Sequence, residues 1–243
     1  MRLRAAAILS GLLLGGHAAE AADWSPSLTA TATSDDRRRG LSWSDGRPAA
    51  GVRLSLSPAE GFDLSLAGTT LRGGARQDGA SLGIDSALVY RRDFGAIRAD
   101  AQISHHAFPG HGGAGYVELG GGAGTTIGPA QIDLFALYAP KQAAIGGDNL
   151  YLAVNASVAL IGTPFTITTQ IGRSSGDSDD PVRSARLRPH GRYVDALLRL
   201  EHRRGPLSFG IDLTETWHGR HIARGPIASD AGRRISARMA LGL

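Results

Sequence analysis

The sequence contains no cysteine, and this absence removes one class of site at once. Without thiols the chain can form neither a disulfide nor a thiolate metal centre. Aromatic residues are also scarce, at 6% of 243 residues, and Lys141 is the only lysine. The formal net charge of +4 at pH 7 therefore comes almost wholly from arginine.

The arginines do not gather into the pattern of a nucleic-acid-binding protein. They are spread over loops and segment ends, and no helical stretch carries a basic stripe. Positive charge can also attract anionic lipid. Composition therefore disfavours nucleic acid as a partner and is compatible with a lipid surface.

Long hydrophobic runs are absent after the first residues, which disfavours a helical inner-membrane protein. At the N-terminus, Arg2 and Arg4 precede the apolar stretch 5–14, and Ala19-Glu20-Ala21 has the small-residue spacing of a cleavage site. An amphipathic N-terminal helix is the alternative, but the stretch has no charged face. We predict a signal peptide at 1–21 and one exported domain at 22–243.

Beyond residue 21 the hydrophobic pattern has period 2 almost throughout, which is the period of a β-strand. From Leu150 to Leu160 every second residue is apolar, whereas Asn155 and Ser157 fall on the opposite face. About twelve such segments have the length of a tilted transmembrane strand. They lie near 25–34, 49–57, 61–70, 81–90, 96–106, 115–124, 130–139, 149–160, 164–172, 192–201, 206–217 and 234–243.

The connections between these segments alternate in length. Long polar stretches follow the odd-numbered strands, and short turns follow the even-numbered ones, as in outer-membrane barrels. Lipid offers no hydrogen-bond partner, so a sheet that crosses it must close on itself. We therefore predict an all-β fold, a transmembrane antiparallel up-and-down β-barrel of about 12 strands. A soluble β-sandwich or β-helix is the alternative.

The segment 34–48 carries the most specific motif of the sequence. Its defining residues stand in fixed order: Ser34-Asp35, Arg39-Gly40, Ser42, Ser44-Asp45-Gly46 and Pro48-Ala49. This order resembles the opening of the TorF-type porin family of bacterial outer-membrane β-barrels. The segments 81–85 and 116–119 are similar to later parts of that family. Asp36 and Arg38 stand where the family has aromatic residues, and Leu243 stands where such barrels usually end in one. The resemblance implies a channel and supplies no solute.

With the apolar faces outward, the polar faces line a lumen. The predicted lumen residues are Arg53, Asp63, Asp85, Arg98, Asp100, Gln102, Glu118, Asp133, Asn155, Gln170, Asp195, Arg199, Glu201, Asp212 and Arg238. Opposed charges in a pore set its ion selectivity, and the selectivity candidates are Arg53, Asp85, Arg98, Asp100, Glu118, Asp195, Arg199, Asp212 and Arg238. Alternatively these residues pair and fill the lumen, because buried charges need partners. The filled or narrow lumen is slightly favoured.

The loop motif itself allows three roles for Arg37–Arg39. The arginines could fold inward as a constriction, bind lipopolysaccharide phosphate from outside, or lie in a solvated loop, which we take as the default. The candidate loop residues are Arg39, Gly40, Ser42, Ser44, Asp45, Gly46 and Pro48. For Gly40 and Gly46 a role in turn geometry is favoured over ligand contact.

Other constellations give little support for chemistry. His105, His106 and His111 lie close in sequence, but His105 and His106 point to opposite faces of a strand, so a shared metal is disfavoured. An outer-membrane lipase would need a nucleophile and a histidine on one face, and Ser104-His105 fails this test. The glycines of 120–124 precede neither a helix nor a lysine, so they do not form a phosphate loop.

The resulting hypothesis is a porin in the outer membrane of a Gram-negative bacterium that passes small polar or ionic solutes passively. It is not an enzyme and needs no cofactor. Its expected partners are outer-membrane lipid, lipopolysaccharide and the barrel-assembly machinery, with the oligomeric state open. The alternative is a non-conducting structural or surface-interaction barrel whose loops contact lipopolysaccharide.

Overall fold

The structure is a computed structural model that describes residues 26–189, 191–218 and 232–243. The predicted signal peptide lies outside these ranges. Twelve strands form a closed antiparallel barrel, in which each strand pairs with its neighbours along the chain. The two ends of the sheet meet where β1 (Ser27–Thr33) pairs with both β4 (Ala49–Ala59) and β14 (Arg234–Gly242). This closure leaves no free sheet edge, which is the condition for a sheet surrounded by lipid.

The remaining barrel strands follow in chain order. They are β5 (Phe62–Thr70), β6 (Leu82–Phe94), β7 (Ile97–Ala107), β8 (Tyr116–Ile127), β9 (Ala130–Gln142), β10 (Gly147–Ala159), β11 (Phe165–Ser175), β12 (Tyr193–Arg204) and β13 (Leu207–His218). All twelve predicted strands are confirmed, and several extend beyond the predicted ends. The soluble sandwich and β-helix alternatives are wrong.

Short turns join the strands at one end of the barrel and long loops at the other. Gly95-Ala96 connects β6 to β7, and Gly205-Pro206 connects β12 to β13, whereas seventeen residues separate β11 from β12. Where the structure describes them, the long loops contain a two-strand hairpin, β2 (Arg37–Arg38) and β3 (Leu41–Ser42), one turn of helix α1 (Pro181–Ser184) and three short 3-10 helices. In the ranges covered by the structure, no helix is long and apolar enough to cross a membrane.

The outer surface of the barrel is apolar, and the alternation of the strands explains why. Leu134 is 59% exposed, Ile171 64% and Ile211 58%, and they belong to a belt of exposed large apolar side chains that covers every barrel strand. Their neighbours in sequence, such as Asp133 and Asp212, are buried. A water-soluble protein buries its apolar faces, so this distribution is inverted.

Candidate functional site

The loop of residues 34–48, here called the plug loop, folds into the mouth of the barrel. In its hairpin, Arg37 pairs with Ser42 and Arg38 with Leu41. Arg39 and Gly40 form the tip with φ of 51° and 74°. The sequence favoured a solvated loop for Arg37–Arg39, and this interpretation is therefore wrong. These arginines also do not face outward towards lipopolysaccharide, so that alternative is wrong too. Their guanidinium groups meet carboxylates of the loop and of the barrel wall.

The hairpin tip touches the wall formed by β12 and β13. Thr216 Oγ1 donates to the carbonyl of Gly40 at 3.0 Å, and Tyr193 Oη donates to the carbonyl of Arg39 at 3.0 Å. A Cβ at Gly40 would lie 2.6 Å from Asp195 Cβ and from Thr216 Oγ1. The tip therefore requires glycine for two reasons, its positive φ and its close approach to the wall.

Arg39 forms the central contact between the plug loop and the barrel. Its Nη1 and Nη2 donate to Oε1 and Oε2 of Glu118 at 2.8 Å and 2.5 Å. Its guanidinium also lies 5.0 Å from the ring centre of Tyr151. Glu118 is 1% exposed, so this forked pair replaces the water that its carboxylate has lost. Burial by itself lowers the pKa of Arg39, but the Glu118 carboxylate more than compensates, and the net shift is upward.

Arg38 makes a second pair on the neighbouring wall. Its Nη1 donates to Asp85 Oδ2 at 2.8 Å, its Nε donates to Asp36 at 3.2 Å, and its guanidinium lies 4.3 Å from the ring centre of Trp43. The pKa of Arg38 is lowered by burial and raised more strongly by Asp85 and Asp36. Two adjacent arginines of one hairpin thus neutralise carboxylates on β6 and β8.

His106 links the two pairs. Its Nδ1 lies 2.7 Å from Asp85 Oδ1, and its Nε2 lies 3.2 Å from Glu118 Oε2. Carboxylate oxygens only accept, so both ring nitrogens donate when both carboxylates are ionised, as in the imidazolium form. The ring stacks on Tyr116 at 4.5 Å between centroids. We call Asp85, His106, Glu118 and Tyr151 the acidic cradle.

The other motif residues shape the plug loop rather than the lumen. Ser42 Oγ and Ser44 Oγ donate to Asp35 Oδ1 at 2.5 Å and 3.1 Å, and the amide of Gly46 donates to Ser42 Oγ at 2.8 Å. Asp45 and Gly46 have φ of 59° and 68°, and a Cβ at Gly46 would meet nothing within 4 Å. Outside this network, the carbonyl of Pro48 accepts from Arg72 Nε at 2.5 Å. These turn residues therefore fix the loop's path into the barrel.

A cap of long loops lies over the plug loop. Apolar side chains from several loops and strand ends form one buried cluster: Trp43, Leu71, Ala80, Phe108, Ala114, Tyr116, Ala139, Ala144, Ile145 and Leu187. Arg76 and Arg186 join these loops through main-chain carbonyls. Arg76 Nε donates to Ser42 O at 3.1 Å, and Arg186 Nη1 donates to Ala114 O at 2.9 Å and Ala144 O at 2.6 Å. Burial lowers the pKa of the Arg186 guanidinium.

Towards the short-turn end, ion pairs cross the interior face. Arg199 donates to both oxygens of Asp212 at 2.6 Å. Arg98 lies 3.3 Å from Asp133, Arg203 lies 3.2 Å from Glu201, and Arg91 pairs with Asp63. Arg53 donates to Ser65 Oγ at 3.3 Å.

All predicted lumen residues fall on the interior parity of their strands, although their effect on selectivity remains a prediction. Asn155 on β10 pairs with Asp133 on β9 and with Gln170 on β11, and Arg238 on β14 pairs with Gly210 on β13. Asp195 Oδ2 accepts from Tyr151 Oη at 3.1 Å, while Asp195 Oδ1 and Asp100 Oδ2 have no hydrogen-bond partner within the described residues. Asp195 is 1% exposed, so its carboxylate is buried in the wall with only one of its two oxygens accepting a hydrogen bond from the described residues.

The glycines of residues 120–124 have a packing role. They lie on β8, and those on its interior parity leave room for side chains of the adjacent strands. A Cβ at Gly124 would lie 2.1 Å from Asp133 Oδ1. The absence of a side chain there allows Asp133 to reach Arg98, consistent with the rejection of a phosphate loop.

The sequence offered two further candidates for chemistry, the pair Ser104-His105 and the three histidines His105, His106 and His111. His105 pairs with Ser86 and Val117 on the outward face, opposite to Ser104, so the pair does not converge. Among the described residues, no group of three histidine, aspartate or glutamate side chains is arranged to hold a metal ion.

Sequence reasoning missed several residues of the site. His106 shares the parity of Asp100 and Gln102 and could have been placed in the lumen by extending that strand. Tyr151 could have been found similarly, through the parity of Asn155. Arg76 and Arg186 carried no signal, because their partners are main-chain carbonyls of distant loops.

A closed antiparallel barrel with an apolar exterior, a charged interior and long loops at one end defines an outer-membrane β-barrel. The chain belongs to a family described as bacterial proteins of unknown function (Gcw_chp), which matches residues 18–217. No curated protein matches the chain.

Solved structures agree with this class. The chain is similar to the NanC porin, with a TM-score of 0.58 and 10% identity over 88% of this chain and 97% of that one. It is also similar to an outer-membrane channel from Pseudomonas putida F1, with a TM-score of 0.50 and 12% identity over 92% of this chain and 97% of that one. At such identities the likeness establishes the barrel fold alone.

Proposed function

We propose that this protein is an outer-membrane porin that passes small polar or ionic solutes passively through its barrel. The observation that carries the proposal is the inverted distribution of polarity, with exposed leucines and isoleucines outside and paired aspartates and arginines inside. Such an interior places charged groups along a path through an apolar slab. The likeness to channel structures supports the same function. We propose that the protein is not an enzyme.

The plug loop and the cap define a resting state of this channel. Arg38 and Arg39 occupy the interior level at which Asp85 and Glu118 would otherwise line the mouth. A solute entering from the long-loop end meets the cap and then the hairpin. We infer that permeation requires movement of the plug loop, or a path beside it.

A non-conducting barrel is the second candidate, and specific observations favour it. The cap buries Leu71 and Ala80 completely, and bidentate arginine–carboxylate pairs occupy the interior below it. In this alternative the loops serve as a structural or interaction surface, and the lumen charges hold the barrel rigid.

The cellular setting is part of the proposal. We propose that residues 1–21 form a cleaved signal peptide, that the chain is a TorF-type porin, and that barrel-assembly machinery inserts it into the outer membrane. Lipopolysaccharide is proposed as a lipid partner. Exposed Arg173 and Arg192 at the long-loop end support this contact, because guanidinium groups bind phosphate well.

A lipid-facing substitution tests the membrane orientation. We expect Leu134→Arg to lower the free energy of unfolding in lipid vesicles by about 2–4 kcal/mol, because it puts a charge among acyl chains near the middle of a strand. Ile127→Arg, at the short-turn end of β8, is the control and should lower it by about 0–1 kcal/mol. Urea titration measures both. Equal, small effects would show that Leu134 does not face acyl chains.

Conductance measurements test the channel itself. The refolded wild type and a variant with residues 35–47 replaced by a short glycine-serine linker are compared in planar bilayers. We expect small or rare current steps from the wild type and larger, more frequent ones from the variant, because the mouth is then unblocked. Steps no greater than those of the bare lipid in both proteins would reject the channel and support the non-conducting barrel.

A further inference from the structure

We propose that the acidic cradle is a binding site for a small guanidinium-bearing cation, and that Arg39 of the plug loop is its tethered occupant. If the protein is the proposed channel, the cradle selects the class of solute that it transports, and this part of the inference rests on the proposed function. Binding at the cradle is a separate property and can be measured separately.

The geometry around Arg39 is that of a ligand site for a planar cation. Glu118 accepts from two guanidinium nitrogens at once, with both of its oxygens engaged. Tyr151 presents its ring to the same guanidinium. A forked hydrogen bond with an aromatic face discriminates guanidinium from ammonium, because an ammonium is a compact charge that cannot form the planar fork.

The barrel wall around Arg39 holds more hydrogen-bond acceptors for a cation than the plug loop uses. On the wall itself, Asp85 and Glu118 share one cationic partner, because both contact the ring of His106. Asp195, which bonds to Tyr151, keeps one buried carboxylate oxygen that has no hydrogen-bond partner in the part of the chain that the structure describes. When Arg38 and Arg39 leave, the wall retains a surplus of acceptors around an aromatic ring.

Tethering explains how the same site can be occupied at rest and still exchange with a solute. A group held on a short loop has an effective concentration of about millimolar, which a free ligand must exceed to displace it. The Arg39 side chain keeps 19% exposure, so it is not fully enclosed by protein atoms. A free guanidinium compound can therefore replace it either by competition or after Arg39 has been removed.

Chemical rescue of Arg39→Ala tests the binding step, with agmatine as the probe. The purified variant is unfolded thermally in detergent, and loss of the folded form is followed by gel mobility. We expect about 10 mM agmatine to raise the midpoint of Arg39→Ala by several degrees and that of the wild type much less, because agmatine must there compete with the tethered Arg39. Arg204→Ala, which removes an exposed arginine at the short-turn end, is the control and should behave as the wild type.

Two further arms define the site and the chemical class. The double variant Arg39→Ala/Glu118→Gln should lose the agmatine effect, because the forked acceptor has lost its charge. Butane-1,4-diamine at equal ionic strength should raise the midpoint of Arg39→Ala much less than agmatine. An equal shift with the diamine overturns the guanidinium assignment, and an equal shift in the double variant overturns the cradle as the site.

Conductance measurements distinguish cation binding at the acidic cradle from channel activity. We expect agmatine to block Arg39→Ala at a concentration at least about tenfold lower than it blocks the wild type. Binding without current in any variant supports the cradle and rejects the channel. Current without agmatine binding or block rejects the cradle and leaves the channel intact. If Arg39→Ala does not refold, Arg39→Lys serves instead, because lysine keeps the charge but loses the fork.

Discussion

Arg199→Ala is expected to lower the free energy of unfolding by about 3–5 kcal/mol. Arg199 and Asp212 face each other on β12 and β13, and their side chains are only 9% and 12% exposed. Removing the guanidinium leaves the Asp212 carboxylate without its bidentate partner in a place that water reaches poorly. The larger part of the free-energy cost comes from burying the Asp212 charge without a counter-charge, and the smaller part comes from the lost attraction between the two side chains. Urea titration of the refolded protein in vesicles at pH 7 measures it.

Two controls separate this cause from a general sensitivity of the fold. Arg199→Leu/Asp212→Leu removes both charges and should restore stability to near or above that of the wild type, because neither charge of the pair is then buried without the other. Arg47→Ala breaks an exposed pair, with side chains 52% and 55% exposed, and should change stability by less than about 1 kcal/mol. If the double variant is as unstable as Arg199→Ala, charge compensation is not what the pair provides.

The barrel could be predicted from the sequence because its cause is local. Each strand must show an apolar side chain to lipid at every second position, so the period is visible within a few residues. From Leu150 to Leu160 the pattern alone determines which residues face outward. The strand ends are less visible, because pairing continues beyond the apolar belt. β6, for example, reaches Phe94 through the charged residues Arg91–Asp93.

The plug loop could not be predicted, because its position depends on contacts between distant parts of the chain. The motif correctly indicated turn geometry at Gly40 and Gly46. Whether Arg39 turns inward depends on Glu118, 79 residues later, and on the space left beside Asp195. An arginine-rich loop has the same local pattern whether water or a carboxylate receives its charge, so the sequence favoured the more common solvated state.

Gly40→Val should expel the hairpin tip from the barrel mouth. Valine is strained at φ 74°, and its Cβ would overlap Asp195 Cβ and Thr216 Oγ1, both 2.6 Å away. Neither neighbour can retreat easily, because both belong to the barrel wall. The expelled loop exposes the peptide bonds after Arg37, Arg38 and Arg39 to trypsin. We expect cleavage at these bonds to be at least about tenfold faster than in the wild type, which corresponds to about 1.4 kcal/mol.

Gly46→Val is the matched control for this substitution. Gly46 lies in the same loop with a similar φ of 68°, but a Cβ there meets nothing within 4 Å. The two variants thus share the backbone strain and differ in the collision with the wall. Trypsin does not cut before proline, so the bond between Arg47 and Pro48 adds no cleavage beside Gly46. Fragment masses identify the cut bonds. Equal cleavage at Arg37–Arg39 in the two variants would mean that strain alone dislodges the loop and that contact with β12 and β13 does not hold it.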